Sequence, residues 1–216
     1  MSPQGLPRGL AKIFSLTLFY MYTEEQNLRE RGYQMIAGVD EAGRGPLAGP
    51  VVAAAVIFPA DYKNPLINDS KQLTPLQRAQ LFVEIRNAAL SYAVGIIQPS
   101  KIDEMGILNA TKLAMRQSIL KLDPRPDFIL TDAVPVNVMD VPQKPMVKGD
   151  ARVFSIAAAS ILAKVTRDEL MIKYDKKYPH YGFAEHMGYG TEVHLTAIKK
   201  HGACKIHRMS FSPFTG

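Results

Sequence analysis

Short apolar runs alternate with polar, turn-rich segments along the chain, and this pattern predicts a sheet of several strands. The run 50–58 is almost continuously apolar, as expected of a strand that is buried on both faces. A turn rich in Gly and Pro separates it from a shorter run over 35–40. Three more runs, at 92–97, 127–132 and 145–150, bring the predicted sheet to five strands.

Helical patterns lie between and after these strands. The first helix begins at Thr74, with the Thr-Pro-Leu-Gln pattern of a capping box. The longest covers 153–177; its first half is apolar all round and its second half is charged, so we expect it to start in the core and end in solvent. A short helix capped within 100–103 and longer ones over 109–122 and 191–200 complete the set. The order β-β-α-β-α-β-β-α-α predicts one α/β domain, with a mixed five-stranded sheet flanked by helices and a helical C-terminal portion.

The charge balance of the chain favours a polyanionic partner. The 216 residues suffice for one large domain, and 47 % hydrophobic and 21 % charged content are ordinary for a globular protein. The formal net charge is +6 and the sequence pI is about 9.3. From Lys164 to Arg208 there are nine Lys or Arg against five Asp or Glu, so the basic excess is concentrated there.

Several classes of site are excluded by the composition. The one cysteine, Cys204, rules out an internal disulfide and a cysteine-based zinc site. The five His residues all follow residue 179, and no two have the i, i+4 spacing of a helical zinc site. Residues 13–22 are apolar, but no cleavage pattern follows and the run is shorter than the roughly 20 residues of a membrane span. We therefore expect a cytoplasmic protein with no membrane segment.

Four acids stand at the ends of predicted strands: Asp40, Glu41, Asp132 and Asp150. Rigid backbone at a strand end can aim a carboxylate into a cleft, and several converging carboxylates supply the hard oxygen ligands that Mg²⁺ or Mn²⁺ prefers. Two such metals suit phosphodiester hydrolysis. Solvated acids at strand ends are the alternative interpretation for each acid taken singly.

Asp40 and Glu41 are neighbours, which restricts how they can act together. Successive side chains of a regular strand point to opposite faces, so these two share a metal only where the strand ends or bulges. Gly43 and Gly45 permit such an irregularity.

The turn that follows, Gly43-Arg44-Gly45, is suited to close contact with a ligand. It matches neither the dinucleotide-binding pattern nor the P-loop, because a strand follows it and no Gly-Lys-Ser/Thr is present. Its glycines let backbone groups approach a ligand closely, and Arg44 adds a positive charge. A tight turn without a ligand is the competing interpretation.

Aromatic residues are interleaved with basic ones near the C-terminus. Tyr178, Tyr181 and Tyr189 lie among several lysines, a combination that suits nucleic acid because a ring can stack on a base or pack on a sugar. Tyrosines of the core are the alternative, and we expect that to hold for at least one of them.

The chain resembles the bacterial ribonuclease HII family. The segment 38–52, GVDEAGRGPLAGPVV, is similar to the signature of that family, and the resemblance continues in order over roughly 33–213. The further segments that carry it are Asp69-Ser70-Lys71, Lys148-Gly149-Asp150, SIAAASILAKVTRD over 155–168, Tyr181-Gly182-Phe183, Gly188-Tyr189-Gly190-Thr191, and His207-Arg208 with Ser210-Phe211.

The resemblance implies a ribonuclease H-like fold and Mg²⁺- or Mn²⁺-dependent endonucleolytic cleavage of RNA in RNA–DNA hybrids. It also implies cleavage on the 5′ side of a single ribonucleotide embedded in duplex DNA. By position, Asp40, Glu41, Asp132 and Asp150 match the metal-binding carboxylates. The matching substrate contacts are Gly43, Arg44 and Gly45 for the 2′-hydroxyl, Tyr189 for the neighbouring sugar, and Lys71 and Ser160 for phosphates.

Residues 1–32 fall largely outside this resemblance, so we expect an N-terminal extension over 1–32 and a catalytic domain over 33–216, acting as a monomer. Two other functions stay open at this point. A nuclease of the junction-resolvase kind would share the fold but cut branched DNA. A basic nucleic-acid-binding module would bind hybrids in a salt-dependent way and gain nothing from Mg²⁺.

Overall fold

A single mixed sheet of five strands, in the order β3-β2-β1-β4-β5, organises the structure. The computed structural model describes residues 21–136 and 141–215. β1 pairs antiparallel with β2, and β2 with β3, whereas β4 and β5 extend the sheet in parallel on the other side of β1. The predicted mixed five-stranded sheet is thus confirmed. The strands are β1 (Ile36–Ala42), β2 (Val51–Ile57), β3 (Ser91–Ile97), β4 (Phe128–Asp132) and β5 (Gln143–Met146).

Seven helices are present among the described residues, two more than the five predicted. The capping box at Thr74 is confirmed, since its hydroxyl accepts from the Gln77 N–H and the Gln77 side chain accepts from the Thr74 N–H. The helices at 21–30 and at Phe183–His186 were not predicted. They are α1 (21–30), α2 (Pro75–Ala88), α3 (Pro99–Met105), α4 (Ile107–Leu120), α5 (Phe154–Lys177), α6 (Phe183–His186) and α7 (Glu192–His201).

Helices cover both faces of the sheet. α4 packs with alternate residues of β2 on one face, and α5 and α2 pack on the other. The first half of α5 is buried and its second half emerges into solvent, as its composition predicted. α5 lies directly on β1 at Gly38, where a Cβ atom would come within 2.2 Å of the Ser155 carbonyl carbon. This contact sets the depth of α5 on the sheet.

Two predicted boundaries are wrong. β5 ends at Met146 rather than at 150, because Lys148 adopts a left-handed conformation (φ 55°) that takes the chain out of the sheet. Asp150 therefore lies in a short 3₁₀ turn, Gly149–Ala151. α3 begins at Pro99 with Gln98 as its N-cap, not with a cap within 100–103, because proline favours the first helical turn.

Part of the segment predicted as an extension packs on the domain. Met21 and Leu28 of α1 are buried, and the Glu25 carboxylate accepts a hydrogen bond from the Ser155 N–H in the first turn of α5 (2.8 Å). Residues 1–20 lie outside the described residues, and the domain boundary at residue 32 stays a prediction. Within the described ranges, no helix has the length and apolar character needed to cross a membrane.

Candidate active site

The sheet topology brings three carboxylates together. β1 and β4 run parallel, with Val39 beside Thr131, so the next residues, Asp40 and Asp132, lie side by side near the carboxyl ends of their strands. The turn after β5 adds Asp150. One oxygen of each of these three carboxylates lies within 4.8 Å of the others. Asp40 and Asp150 are buried, and Asp132 is half-buried.

Glu41 stands apart from this three-carboxylate group. β1 stays paired with β2 through Glu41 and Ala42, so the strand does not bulge at this point and its side chains keep alternating. One Glu41 oxygen lies 3.4 Å from Arg44 Nη1. The other, Oε2, is buried and has no hydrogen-bond partner among the described residues. Glu41 nevertheless lines the same cleft as Asp40 and Asp132.

Burial and mutual repulsion raise the pKa of Asp40, Glu41 and Asp132. The pKa of Asp40 is raised well above its usual value by burial first, and then by the charges of Glu41 and Asp132. Burial also raises the pKa of Glu41, although Arg44 opposes the shift. Burial also raises the pKa of Asp132, and a hydrogen bond from the Gly149 N–H (2.7 Å) partly offsets this rise. The ionised cluster therefore gains by taking up a cation.

A second loop places one positive charge beside the acids. The Asp69 carboxylate caps the 3₁₀ turn Ser70–Gln72 by accepting from the Lys71 N–H. The Lys71 ammonium lies 2.8 Å from Asp150 Oδ2, while its side chain remains 77 % exposed. The Ser70 and Ser160 hydroxyls, 2.8 Å apart, tie this turn to α5.

The Gly43-Arg44-Gly45 turn is held from inside the protein by a buried arginine. Arg208 donates to the carbonyl oxygens of Gly43 (2.6 Å), Arg44 (2.9 Å) and Gly49 (3.0 Å). Burial lowers the pKa of Arg208 to about 9. With these carbonyl oxygens held by Arg208, the residues of the turn, Gly43, Arg44 and Gly45, line the cleft.

Arg167 supports the next part of the same loop. It donates to the carbonyl oxygens of Pro50 (3.0 Å) and Ala48 (3.1 Å), and burial lowers its pKa to about 10. Gly43 has φ 93°, and a Cβ atom there would lie 2.1 Å from Arg167 Nε. Only glycine therefore fits between the turn and Arg167.

Tyr189 faces the turn from the C-terminal portion. Its ring lies 3.7 Å from the position that a Cβ atom on Gly45 would take, and the residue is 48 % exposed. The Gly188 carbonyl accepts from the N–H groups of Leu47 and Ala48, which joins the two segments. Tyr181 is instead buried, with its ring stacked on Phe183, and is a core residue.

The predicted site residues converge on one cleft of about 300 Å³. Asp150 lies next to this cleft, where it is grouped with Asp40 and Asp132 and pairs with Lys71. Three hard carboxylate oxygens, a buried carboxylate oxygen without a partner and raised pKa values fit a divalent cation of the Mg²⁺ or Mn²⁺ type. The predicted residues that line the cleft are Asp40, Glu41, Asp132, Gly43, Arg44, Gly45, Lys71, Ser160 and Tyr189.

Sequence reasoning assigned no role to the residues that support this cleft. Arg167 and Arg208 hold the Gly-rich loop, and Ser70 anchors the Lys71 turn. Both arginines lie beside apolar or aromatic stretches of the sequence, and this position could have predicted that they are buried. A buried guanidinium needs several hydrogen-bond acceptors, so a structural role would have followed.

A carboxylate cluster of this kind on a mixed sheet, beside a basic cleft, defines a metal-dependent hydrolase of nucleic acids. The family model for ribonuclease HII matches residues 37–213. The chain belongs to the ribonuclease HII family, and it is accordingly an endonuclease that hydrolyses phosphodiester bonds.

Individual relatives agree with this assignment. Ribonuclease HII of Ruminiclostridium cellulolyticum is 56 % identical over 191 residues, which cover 88 % of this chain and 75 % of that protein. Ribonuclease H2 from Pyrococcus horikoshii superimposes with a TM-score of 0.72 at 29 % identity, covering 83 % of this chain and 94 % of the other. Bst-RNase HIII in complex with Mn²⁺ has a TM-score of 0.69 at 18 % identity, covers 86 % and 70 %, and shares the fold. The predicted ribonuclease H-like fold is confirmed.

Proposed function

We propose that this protein is a divalent-metal-dependent endoribonuclease that cuts the RNA strand of RNA–DNA hybrids and cuts on the 5′ side of single ribonucleotides in duplex DNA. Its products carry 5′-phosphate and 3′-hydroxyl ends. The observation that carries the proposal is the placement of the three-carboxylate group and the Gly43-Arg44-Gly45 turn in one cleft. The first can serve hydrolysis, and the second can distinguish RNA from DNA.

Asp40, Asp132 and Asp150 would hold Mg²⁺ or Mn²⁺, with the free oxygen of Glu41 beside them. A bound pair of such ions would supply activation of the attacking water and stabilisation of the leaving oxygen. The role of the protein is to hold these carboxylates in fixed positions. The Gly149 N–H holds one Asp132 oxygen and the Glu41 N–H holds Asp40 Oδ1, each at 2.7 Å.

The Gly43-Arg44-Gly45 turn senses the 2′-hydroxyl of the substrate. Its Gly43 and Arg44 carbonyl groups are engaged by Arg208, so the backbone N–H groups and the half-exposed Arg44 side chain are the groups that would meet the ribose. A deoxyribose would leave such groups unpaired, at a cost of about 1–3 kcal/mol for each buried group. Tyr189, beside Gly45, packs on the neighbouring sugar and fixes which side of the ribonucleotide is cut.

Lys71 and Ser160 contact phosphates next to the cleaved bond. The exposed ammonium of Lys71 could turn from Asp150 to a phosphate once a cation compensates the buried Asp150 carboxylate. Ser160 lines the cleft on α5, beside Asp40. All of these groups come from one chain, in keeping with a monomer, and we place the enzyme in the cytoplasm.

The proposal is tested with duplex DNA that carries one ribonucleotide, an identical all-DNA duplex and an RNA–DNA hybrid, each incubated with Mg²⁺ and then with Mn²⁺. We expect cleavage of the first on the 5′ side of the ribonucleotide, cleavage of the hybrid, and no cleavage of the all-DNA duplex. Extension of the upstream product by a DNA polymerase checks for the 3′-hydroxyl end.

Two results would overturn the proposal. Cleavage of a branched all-DNA substrate, with the ribonucleotide duplex left intact, would indicate a resolvase-like nuclease. Salt-dependent binding of hybrid without cleavage under either metal would indicate a binding module.

A further inference from the structure

Two buried histidines form a hydrogen-bonded chain behind Tyr189. His194 and His207 have 0 % and 2 % of their surface exposed, and their Nε2 atoms lie 3.0 Å apart. His194 Nδ1 lies 2.8 Å from the Tyr189 carbonyl oxygen. His207 Nδ1 lies 2.8 Å from the Cys204 backbone nitrogen. We call His194 and His207 the histidine relay.

The partners of the relay determine where its protons lie. The Cys204 N–H can only donate, and it lies closer to His207 Nδ1 (2.8 Å) than the Cys204 carbonyl oxygen does (3.3 Å). We therefore assign Nδ1 as the acceptor and place the His207 proton on Nε2. That proton is donated to His194 Nε2. The Tyr189 carbonyl can only accept, so the His194 proton is on Nδ1. Burial lowers the pKa of His194 to about 4 and also lowers the pKa of His207, so both rings are neutral near pH 7.

The relay ends on a backbone turn whose conformation is intrinsically unfavourable and is stabilised by its neighbours. Met187 and Gly188, just before Tyr189, have φ values of 52° and 82°, and a left-handed conformation at a non-glycine residue is disfavoured by about 1–2 kcal/mol. The His186 ring braces the turn from one side, accepting from the Gly188 N–H and stacking on His194 with 4.5 Å between ring centroids. The His194 ring holds the Tyr189 carbonyl from the other side.

We propose that His194, fixed as its Nδ1–H tautomer by His207, is a positioning residue that sets the place of the Tyr189 ring beside Gly45. The proposal rests on the function assigned to Tyr189 above. The chain of hydrogen bonds ends on the backbone carbonyl of Tyr189, which lines the cleft, so the His194 ring fixes the backbone that carries the Tyr189 ring. The position of the Tyr189 ring thus depends on two buried side chains of the C-terminal portion, His194 and His207.

A pair of variants at one position separates positioning from stability. In His194→Asn the amide nitrogen takes the place of Nδ1 and can still donate to the Tyr189 carbonyl. In His194→Gln the amide reaches the place of Nε2 and cannot. At a temperature where both are folded by circular dichroism, we expect His194→Gln to lose about tenfold or more in kcat on the single-ribonucleotide duplex. His194→Asn keeps most of the activity, and His201→Gln, an exposed histidine at the end of α7, is the matched control.

Combining His194→Gln with Tyr189→Ala completes a double-mutant cycle that measures the coupling between the two residues. If His194 acts through Tyr189, His194→Gln lowers kcat in the wild-type background and has no further effect in Tyr189→Ala. Equal losses in both backgrounds, or equal losses for His194→Asn and His194→Gln, would show a purely structural role and overturn the inference.

A readout independent of activity keeps this test separate from that of the proposed function. In the full chain with ¹⁵N-labelled histidine rings, long-range ¹H–¹⁵N spectra at pH 7 report the tautomers directly. We expect Nδ1–H at His194 and Nε2–H at His207; any other pattern overturns the relay whether or not the enzyme cuts. A correct pattern in a wild-type protein that leaves the ribonucleotide duplex intact would count against the proposed function instead.

Discussion

Asp40 is buried in the sheet next to two other carboxyl groups, Glu41 and Asp132. Its pKa is raised in the folded protein, whereas in the unfolded chain it ionises at an ordinary pH. The unfolded state therefore releases the Asp40 proton at a lower pH than the folded state does. Ionised Asp40 thus lowers the free energy of unfolding as the pH rises through the folded-state pKa.

We expect Asp40→Asn to abolish turnover and to stabilise the metal-free protein. Activity should fall by about 10³-fold or more, since an essential catalytic group is lost. The increase in Tm over wild type should be small at pH 5 and larger at pH 8, because the raised pKa of Asp40 destabilises the wild-type fold progressively as the pH rises and asparagine does not titrate. Thermal melts in EDTA at both pH values measure this.

The matched control for this prediction is Asp61→Asn, which removes an exposed carboxylate and should change neither activity nor Tm. An active Asp40→Asn protein would defeat the catalytic assignment. A gain in Tm that is the same at both pH values would show that its origin is not the titration of Asp40.

At the scale of elements, two glycines set how closely the helices lie on the sheet. Gly38 of β1 meets α5, and Gly95 of β3 meets α4, where a Cβ atom would come within 2.0 Å of the Ala114 carbonyl oxygen. Both contacts are with backbone, which cannot turn aside as a flexible side chain can. Of the two, only Gly38 lies next to the active site, because α5 carries Ser160 and β1 carries Asp40.

We expect Gly38→Ala and Gly95→Ala each to destabilise the protein by about 1–3 kcal/mol or more, as an overpacked interface does. Only Gly38→Ala should also lower kcat, because it moves α5, and with it Ser160, away from Asp40. Urea unfolding and kinetics at a temperature where both variants are folded compare them. Equal kcat losses in the two variants would contradict this account of α5.

Element boundaries also show where local patterns stop being informative. The apolar run of β2 and the capping box of α2 are local signals, and both predictions are confirmed. The predicted end of the last strand is too late. The composition of Lys148 and Gly149 is compatible with a strand, but the left-handed conformation of Lys148 takes the chain out of the sheet. Backbone dihedral choice at a lysine is set by its surroundings, which no local pattern records.

At the scale of the whole molecule, the C-terminal portion and the first strands form one site. Arg208 joins the C-terminal portion to the Gly-rich loop after β1 by three hydrogen bonds. Its guanidinium is fully buried and also lies over the Phe211 ring, 5.1 Å from the centroid. The shape of the Gly43-Arg44-Gly45 turn therefore depends on a residue more than 160 positions away.

We expect Arg208→Lys to lower the free energy of unfolding by about 2–3 kcal/mol and to raise KM. An ammonium keeps the charge but cannot reach all three carbonyl oxygens, and each buried acceptor left unpaired costs about 1–3 kcal/mol. Urea unfolding and steady-state kinetics on the single-ribonucleotide duplex measure the two effects. Arg116→Lys, at an exposed position of α4, is the control. Unchanged KM in a destabilised Arg208→Lys protein would contradict the coupling to the turn.

The sequence alone predicted the class of fold, the order of the main elements and four candidate acids, three of which the structure brings together, because hydrophobic period, capping residues and short motifs act over a few neighbouring residues. Tertiary structure alone decided which side chains meet. The parallel pairing of β1 with β4 joins Asp40 to Asp132, and strand alternation keeps Glu41 outside that group. The burial of Arg208 and the histidine relay were equally out of reach of the sequence, because contacts between distant segments depend on register and on helix crossings, which are fixed only when the whole chain packs.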